Sequence, residues 1–76
     1  MDIAVPSLGE VDEVRLVRWL KRVGDEVDAG EAVAEVEADK AVFVIEAPAA
    51  GRIAETLVPE GGTVRPGEAI GRLEAL

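Results

Sequence analysis

The sequence predicts an all-β domain, a barrel or sandwich assembled from two similar halves. Two observations carry this reading. The first is an internal repeat: "RLVRWLKRVGDEVDAGEAVAEVEA" (Arg15 to Ala38) aligns with "RIAETLVPEGGTVRPGEAIGRLEA" (Arg52 to Ala75) at a constant offset of 37 and without a gap. Arg15/Arg52, Leu20/Leu57, Gly24/Gly61, Val27/Val64, Gly30/Gly67, Glu31/Glu68, Ala32/Ala69, Glu37/Glu74 and Ala38/Ala75 are identical, and Leu16/Ile53, Val33/Ile70 and Val36/Leu73 are apolar exchanges. Chance matching in a chain of few residue types is the competing explanation. The agreement of glycines, spacings and apolar positions argues against it. The second observation is a turn signal every several residues, which is the punctuation of short strands.

The elements follow in order. A strand near Asp2 to Val5 leads into a loop, Pro6 to Asp12. Glu13 to Leu20 is the ambiguous stretch. Alone, Val14, Val17, Leu20 and Val23 recur every third residue and fit a helix ending at Gly24. The second copy carries Pro59 at the position of Arg22. Proline inside a helix removes a donor and clashes with the preceding turn. If both copies fold alike, the strand reading survives, although alternation is imperfect in both. A turn at Gly24-Asp25, a short strand around Val27, a turn at Gly30 and a strand from Ala32 to Ala38 come next. "RPGE" (Arg65 to Glu68) has the proline and glycine of a type II turn, and "DAGE" (Asp28 to Glu31) is its counterpart. After Asp39-Lys40 a strand from Ala41 to Ala47 and a bend at Pro48 to Gly51 lead into the second copy. The whole chain, 1–76, reads as one domain. The repeat implies a pseudo-two-fold axis, with the Asp39-Lys40 tip and the chain ends at opposite ends of the molecule.

Composition narrows the functions available. The 76 residues include neither Cys nor His, so disulfide, zinc-finger, thiolate and imidazole chemistry are excluded together. The net charge of −8 disfavours nucleic acid and anionic membrane surfaces. The N-terminus has no basic region followed by an apolar one, so no secretory signal is visible. The chain has one Met and lacks Asn and Gln, a bias shared by heat-adapted proteins and by GC-rich genomes. A thermophilic source is the expectation, and a melting temperature in the mesophile range would overturn it. The end at Leu76 without a linker is read as that of an excised domain, and Met1 as a true N-terminus. The isolated domain is expected to be a monomer, since no strongly apolar exposed stretch is evident.

Catalysis by the chain's own side chains is not expected. Ser7 is the only serine and has no imidazole partner. The carboxylates are spread along presumptive strand faces and turns, as a solvated surface would be, and no calcium-loop spacing is found. The loop "GEVDE" (Gly9 to Glu13) is an acidic contact surface or a solubility feature. Lys40 stands out, because the eight basic residues are six arginines and only two lysines, Lys21 and Lys40. Asp39-Lys40 also lacks the glycine that a two-residue hairpin prefers. An exposed lysine is a flexible amine that a modifying enzyme can reach. An ordinary surface lysine remains the alternative on these grounds alone.

The motifs "VPSLGE", "VGDEVDAGEAVAEVEADKA", "APAAGRI" and "GGTVRPGEAI" cover nearly the whole chain, and together they resemble the lipoyl domains of 2-oxo acid dehydrogenase acyltransferases. The specific part is Asp39-Lys40-Ala41 preceded by "EVE". The resemblance implies a flattened β-barrel of two four-stranded antiparallel sheets. It implies a non-catalytic carrier with lipoic acid in amide linkage to Lys40, and with Asp39 and Ala41 as flanking recognition residues. It implies a swinging arm that takes acyl groups from a thiamine-diphosphate-dependent E1 decarboxylase to the E2 acyltransferase core and is reoxidised by an FAD-dependent E3 dihydrolipoyl dehydrogenase. A lipoate-protein ligase or an octanoyltransferase would install the group. Glu10, Asp12 and Glu37 are the expected partner-recognition residues. Ala38 departs from the Thr or Gly common in the family. The "DEV" stretch (Asp12 to Val14) resembles bacterial pyruvate-type domains, which makes pyruvate the expected oxo acid. The compartment implied is the bacterial cytoplasm, or the mitochondrial matrix in a eukaryote. A biotinyl carrier is the nearest alternative, but such domains flank their lysine with Met, and Met1 is the only methionine here. A glycine-cleavage H protein is a longer chain with extra helices. An unmodified barrel-sandwich module is the third possibility.

Overall fold

The computed structural model describes residues 1–76 as eight strands and no helix. They are β1 (Asp2–Ala4), β2 (Val14–Trp19), β3 (Glu26–Val27), β4 (Ala32–Ala38), β5 (Ala41–Glu46), β6 (Gly51–Thr56), β7 (Thr63–Val64) and β8 (Ala69–Glu74). They form two four-stranded sheets, β1-β8-β6-β3 and β5-β4-β2-β7, in which every pairing is antiparallel. The body is flattened, 35 × 20 × 16 Å. The architecture is the expected flattened β-barrel.

One apolar layer lies between the sheets. Ile3, Leu16, Ile45, Ile53 and Ile70 are fully enclosed, with Val5, Val14, Val33 and Val36 around them. Each such side chain contributes about 1.5–3 kcal/mol on burial. No charged residue is buried.

The offset of 37 recurs in the hydrogen bonds. Gly24 N–H donates to the Ile53 carbonyl at 2.8 Å, and Gly61 N–H donates to the Leu16 carbonyl at 2.7 Å. Each half therefore hands its short strand to the other sheet: β3 pairs with β6, and β7 with β2. β1 fills the slot that matches β5. Ala4 faces Ala69 as Glu46 faces Ala32, and Ile3 faces Gly71 as Ile45 faces Ala34.

The imperfect alternation of the second strand has a cause. The β2–β4 register slips between Leu16 and Arg18, and the β6–β8 register slips between Ile53 and Glu55. A bulge inserts one residue on one strand, so period two breaks there. Val17 and Ala54 are the inserted residues, and they are again 37 apart.

The glycine turns are as the sequence predicts. Gly30 and Gly67 take φ values of 84° and 93°, and Glu31 and Glu68 N–H close the turns onto the Asp28 and Arg65 carbonyls at 3.0 Å. Gly51 has a different role, close approach. A methyl group there would lie 2.5 Å from the Glu74 carbonyl oxygen across the β6–β8 pairing.

Candidate functional site

β4 and β5 form the longest hairpin of the molecule, paired from Ala32↔Glu46 to Ala38↔Ala41. The loop between them is two residues, Asp39 and Lys40. Asp39 has φ +48° and is the one non-glycine residue in the left-handed region. Lys40 is not in that region. The loop thus needs a positive φ at its first central position only. Aspartate is among the few side chains that visit this region routinely. This answers the missing glycine: Asp39 supplies the turn, and the second position is open to any side chain. Lys40 occupies it, exposed at the tip of a fully paired ribbon.

The two lysines differ in their surroundings. Lys21 makes an ion pair with Glu31 at 2.8 Å. That hydrogen bond, and then the charge behind it, holds the Lys21 ammonium above its usual pKa. Lys40 has no carboxylate within ion-pair distance; the seven ion pairs use Lys21 and four arginines. Its amine is unclaimed by the fold.

The outer face of the same sheet frames the tip. Register sets Val42, Glu37 and Arg15 in one row across β5, β4 and β2, and Val44, Glu35 and Arg18 in the next. Arg15 pairs with Glu37, and Arg18 donates to Glu35 at 2.6 Å. Glu37 is therefore a neutralised charge rather than a free one. Asp39 is unpaired at the tip, and Ala41 opens β5. Glu10 and Asp12 are exposed in the loop before β2 and make no ion pair. Asp12 lies two residues before β2, whose Arg15 faces Glu37 three residues before Lys40. Glu10 lies farther back along that loop, and no hydrogen bond or ion pair joins either residue to the turn.

One reading of the sequence is corrected here. Val42 is 60% exposed and Val44 is 49% exposed, side by side on an edge strand. The surface near Lys40 does carry an apolar stretch. The cause is position: β5 has a neighbour on one side only, and its outward residues face solvent. The alternation "AVFVIE" holds the signal, since Ile45 turns inward and Val42 and Val44 turn outward. Five apolar or small residues in that stretch hid which face was wet.

What this arrangement offers is an exposed amine at the tip of a paired hairpin, with the Asp39 carboxylate next to it and no hydroxyl, thiol or imidazole in the turn. Its residues would suit a covalently attached group: Lys40 is unpaired, and a two-residue turn leaves it clear of the barrel.

Comparison with known proteins bears on this geometry. The family model described as "Biotin-requiring enzyme" (biotin/lipoyl) matches residues 1–73. The chain is 44% identical over 70 residues to the dihydrolipoyllysine-residue succinyltransferase component of the 2-oxoglutarate dehydrogenase complex of Staphylococcus saprophyticus, covering 91% of this chain and 16% of that protein. It is 44% identical over 73 residues to the dihydrolipoyllysine-residue acetyltransferase component of the pyruvate dehydrogenase complex of Corynebacterium glutamicum, covering 95% and 11%. The solution structure of the lipoyl domain of the 2-oxoglutarate dehydrogenase complex from Azotobacter vinelandii superimposes with a TM-score of 0.77 at 36% identity, over 97% of this chain and 95% of that one. The chain spans less than a fifth of the length of these two curated relatives.

Proposed function

Because the chain belongs to the biotin/lipoyl-attachment family, we propose that it is a lipoyl carrier domain of a 2-oxo acid dehydrogenase complex, with lipoate in amide linkage to Nζ of Lys40. The observation that carries this is the unpaired lysine at the tip of a paired two-residue hairpin, flanked by Asp39 and Ala41. The bound group would supply a redox-active dithiolane that accepts and releases an acyl group, chemistry a chain without Cys lacks. The residues of the chain present it. Asp39 holds the turn, the β4–β5 ribbon holds Lys40 away from the barrel, and amide formation removes the ammonium charge. Tethering turns travel between active sites into a search at high effective concentration.

The partners follow from this reading. They are a thiamine-diphosphate-dependent E1, the acyltransferase core of E2, a flavin-dependent E3, and the lipoate-protein ligase or octanoyltransferase that loads Lys40. Asp39 and Ala41 flank the target for the loading enzyme. Glu10 and Asp12 face E1 as free charges, and Glu37 does so with Arg15 beside it. Pyruvate is the proposed oxo acid, on the Asp12-Glu13-Val14 stretch; the relatives include both pyruvate and 2-oxoglutarate complexes. The proposed setting is the bacterial cytoplasm or the mitochondrial matrix.

The test is the intact mass of the chain after incubation with a lipoate-protein ligase, ATP and lipoate, beside Lys40→Arg. A lipoyl increment on the parent alone is expected. An increment on the variant would move the site to Lys21 or the N-terminal amine. No increment on a folded parent, with one from a biotin ligase, would make the domain a biotin carrier. Rates of reductive acylation by a pyruvate and a 2-oxoglutarate E1 then decide the oxo acid, the faster being the pyruvate enzyme.

A further inference from the structure

We infer that Val42 and Val44 form a seat on which the arm carried by Lys40 folds back along β5. The inference rests on the lipoyl-carrier reading and goes beyond it, since that reading asks only for a free arm.

Three observations lead to it. The first is position. Val42 and Val44 project outward from the strand that begins at the Lys40 turn. At the strand rise of about 3.4 Å per residue they lie roughly 7 and 14 Å from Lys40. A lysine side chain extended by an eight-carbon acid in amide linkage spans roughly 15 Å at ordinary single-bond lengths. The arm therefore reaches both valines and little beyond.

The second is chemical match. Once acylated, the lysine loses its charge, and the arm is a chain of methylenes ending in a sulfur ring. Polarizable sulfur and methylenes pack on aliphatic surface. Glu37 and Glu35, the cross-strand neighbours of the two valines, are held toward Arg15 and Arg18 by their ion pairs. The valine strip is thus clear of carboxylates across the sheet, and Glu46, exposed on the same face of β5, bounds it at the far end.

The third is an internal control. The pseudo-two-fold relates Val44, which faces Glu35, to Asp2, which faces Arg72. Asp2 lies 3.6 Å from Arg72 in an ion pair. The half without the lysine thus has a charge where the half with it has a valine. Two of the exposed leucines, Leu20 and Leu57, 38% and 48% exposed, are a symmetric pair and so belong to the common scaffold. The valine strip does not. A second copy of the chain is the poorer occupant, because each copy carries a net charge of −8 and repels the other.

The experiment compares methyl spectra of the unmodified and the enzymatically lipoylated domain, labelled at Val and Leu methyls, with modification verified by mass. The expected result is a shift of the Val42 and Val44 methyl signals, with nuclear Overhauser contacts to the arm's methylenes. Val23, an equally exposed valine in the turn before β3, should not move. A Val42→Thr/Val44→Thr variant keeps the β preference of the strand and should lose those contacts while remaining folded and lipoylated. Full lipoylation with the Val42 and Val44 methyl signals unmoved would overturn the seat and leave the carrier reading intact. Valine shifts that grow with protein concentration would assign the strip to a second copy and also overturn it. Absence of any lipoyl increment would remove both readings.

Discussion

The two halves of this domain share a backbone and differ in what they display. β2, β3 and β4 return as β6, β7 and β8 at one offset, with matched bulges, turns and crossing hydrogen bonds. The outer face of the sheet built on β6 and β8 carries rows of acid, base and acid: Asp2–Arg72–Glu55 and Glu74–Arg52–Glu26. The face built on β2 and β4 keeps the arginine–glutamate pairs but ends in Val42 and Val44 at its edge. One half closes its edge hairpin with Asp39-Lys40, and the other leaves the same place to the chain ends. Symmetry accounts for the shared scaffold, and the departure at Asp39-Lys40, Val42 and Val44 sets the proposed carrier end apart.

The comparison is sharpened most strongly in the shared core. Leu16 and Ile53 are symmetric equivalents, and both are fully buried. Leu16→Ala and Ile53→Ala should each cost about 2–5 kcal/mol, and the two losses should agree within about 1 kcal/mol. Urea midpoints measure this. A domain of this length has roughly 4–11 kcal/mol in total, so either substitution takes a large share. A much larger loss in one half would show that the halves do not fold as equals.

Gly51 is where the shared backbone is asymmetric. Its equivalent is Val14, a buried side chain. At Gly51 the β6–β8 approach leaves no room for even a methyl, with the Glu74 carbonyl oxygen in the way. Gly51→Ala should destabilise by about 1–3 kcal/mol, as overpacking does. A neutral result would mean that the two strands separate easily there.

Much of this was legible in the sequence. The repeat resolved Glu13 to Leu20 as a strand against its own three-residue spacing, because Pro59 in the second copy forbids a helix. The turns at Gly30 and Gly67 could be read from "DAGE" and "RPGE". Lys40 stood out by scarcity and by its flanking residues. What could not be read depends on three-dimensional neighbours. The bulges at Val17 and Ala54 arise from register between strands distant in sequence. The pairing of Glu37 with Arg15 arises from the same register. The exposure of Val42 and Val44 follows from β5 being an edge, which no local pattern states.

Smaller effects separate the working end from the rest of the surface. Glu10→Lys and Asp12→Lys place positive charge in the exposed loop before β2. Each should slow reductive acylation by E1 by roughly tenfold at low salt, the scale of electrostatic steering. Charge reversal at Glu26, on the opposite sheet, should change nothing. At high salt the difference should fade, since screening shortens to a few ångströms. Equal rates for all three variants would place the E1-facing surface elsewhere.

The smallest effect concerns a pair that breaks the symmetry without touching the tip. Glu31 and Glu68 are equivalents, and each accepts a backbone N–H within its own turn, from Asp28 at 2.9 Å and Arg65 at 2.7 Å. Glu31 also accepts from Lys21, whereas Val58 stands at the matching place in the second half. The Lys21 hydrogen bond, and then the Asp28 N–H, hold the Glu31 carboxyl below the usual glutamate range. A carboxyl whose pKa is lower folded than unfolded stabilises the fold above its unfolded value, near pH 4, and loses that contribution as pH falls through the folded value. Lys21 is raised instead, so its own share is complete at neutral pH and lost only in strong alkali. Lys21→Val would make the first half like the second. Its urea midpoint should fall slightly at pH 7, and the gap to the parent should close as the pH drops toward 2. Exposure keeps the effect small, because solvent screens a pair on the surface. A gap that stayed constant down to pH 2 would mean that Lys21 acts by packing its methylenes, not by its charge.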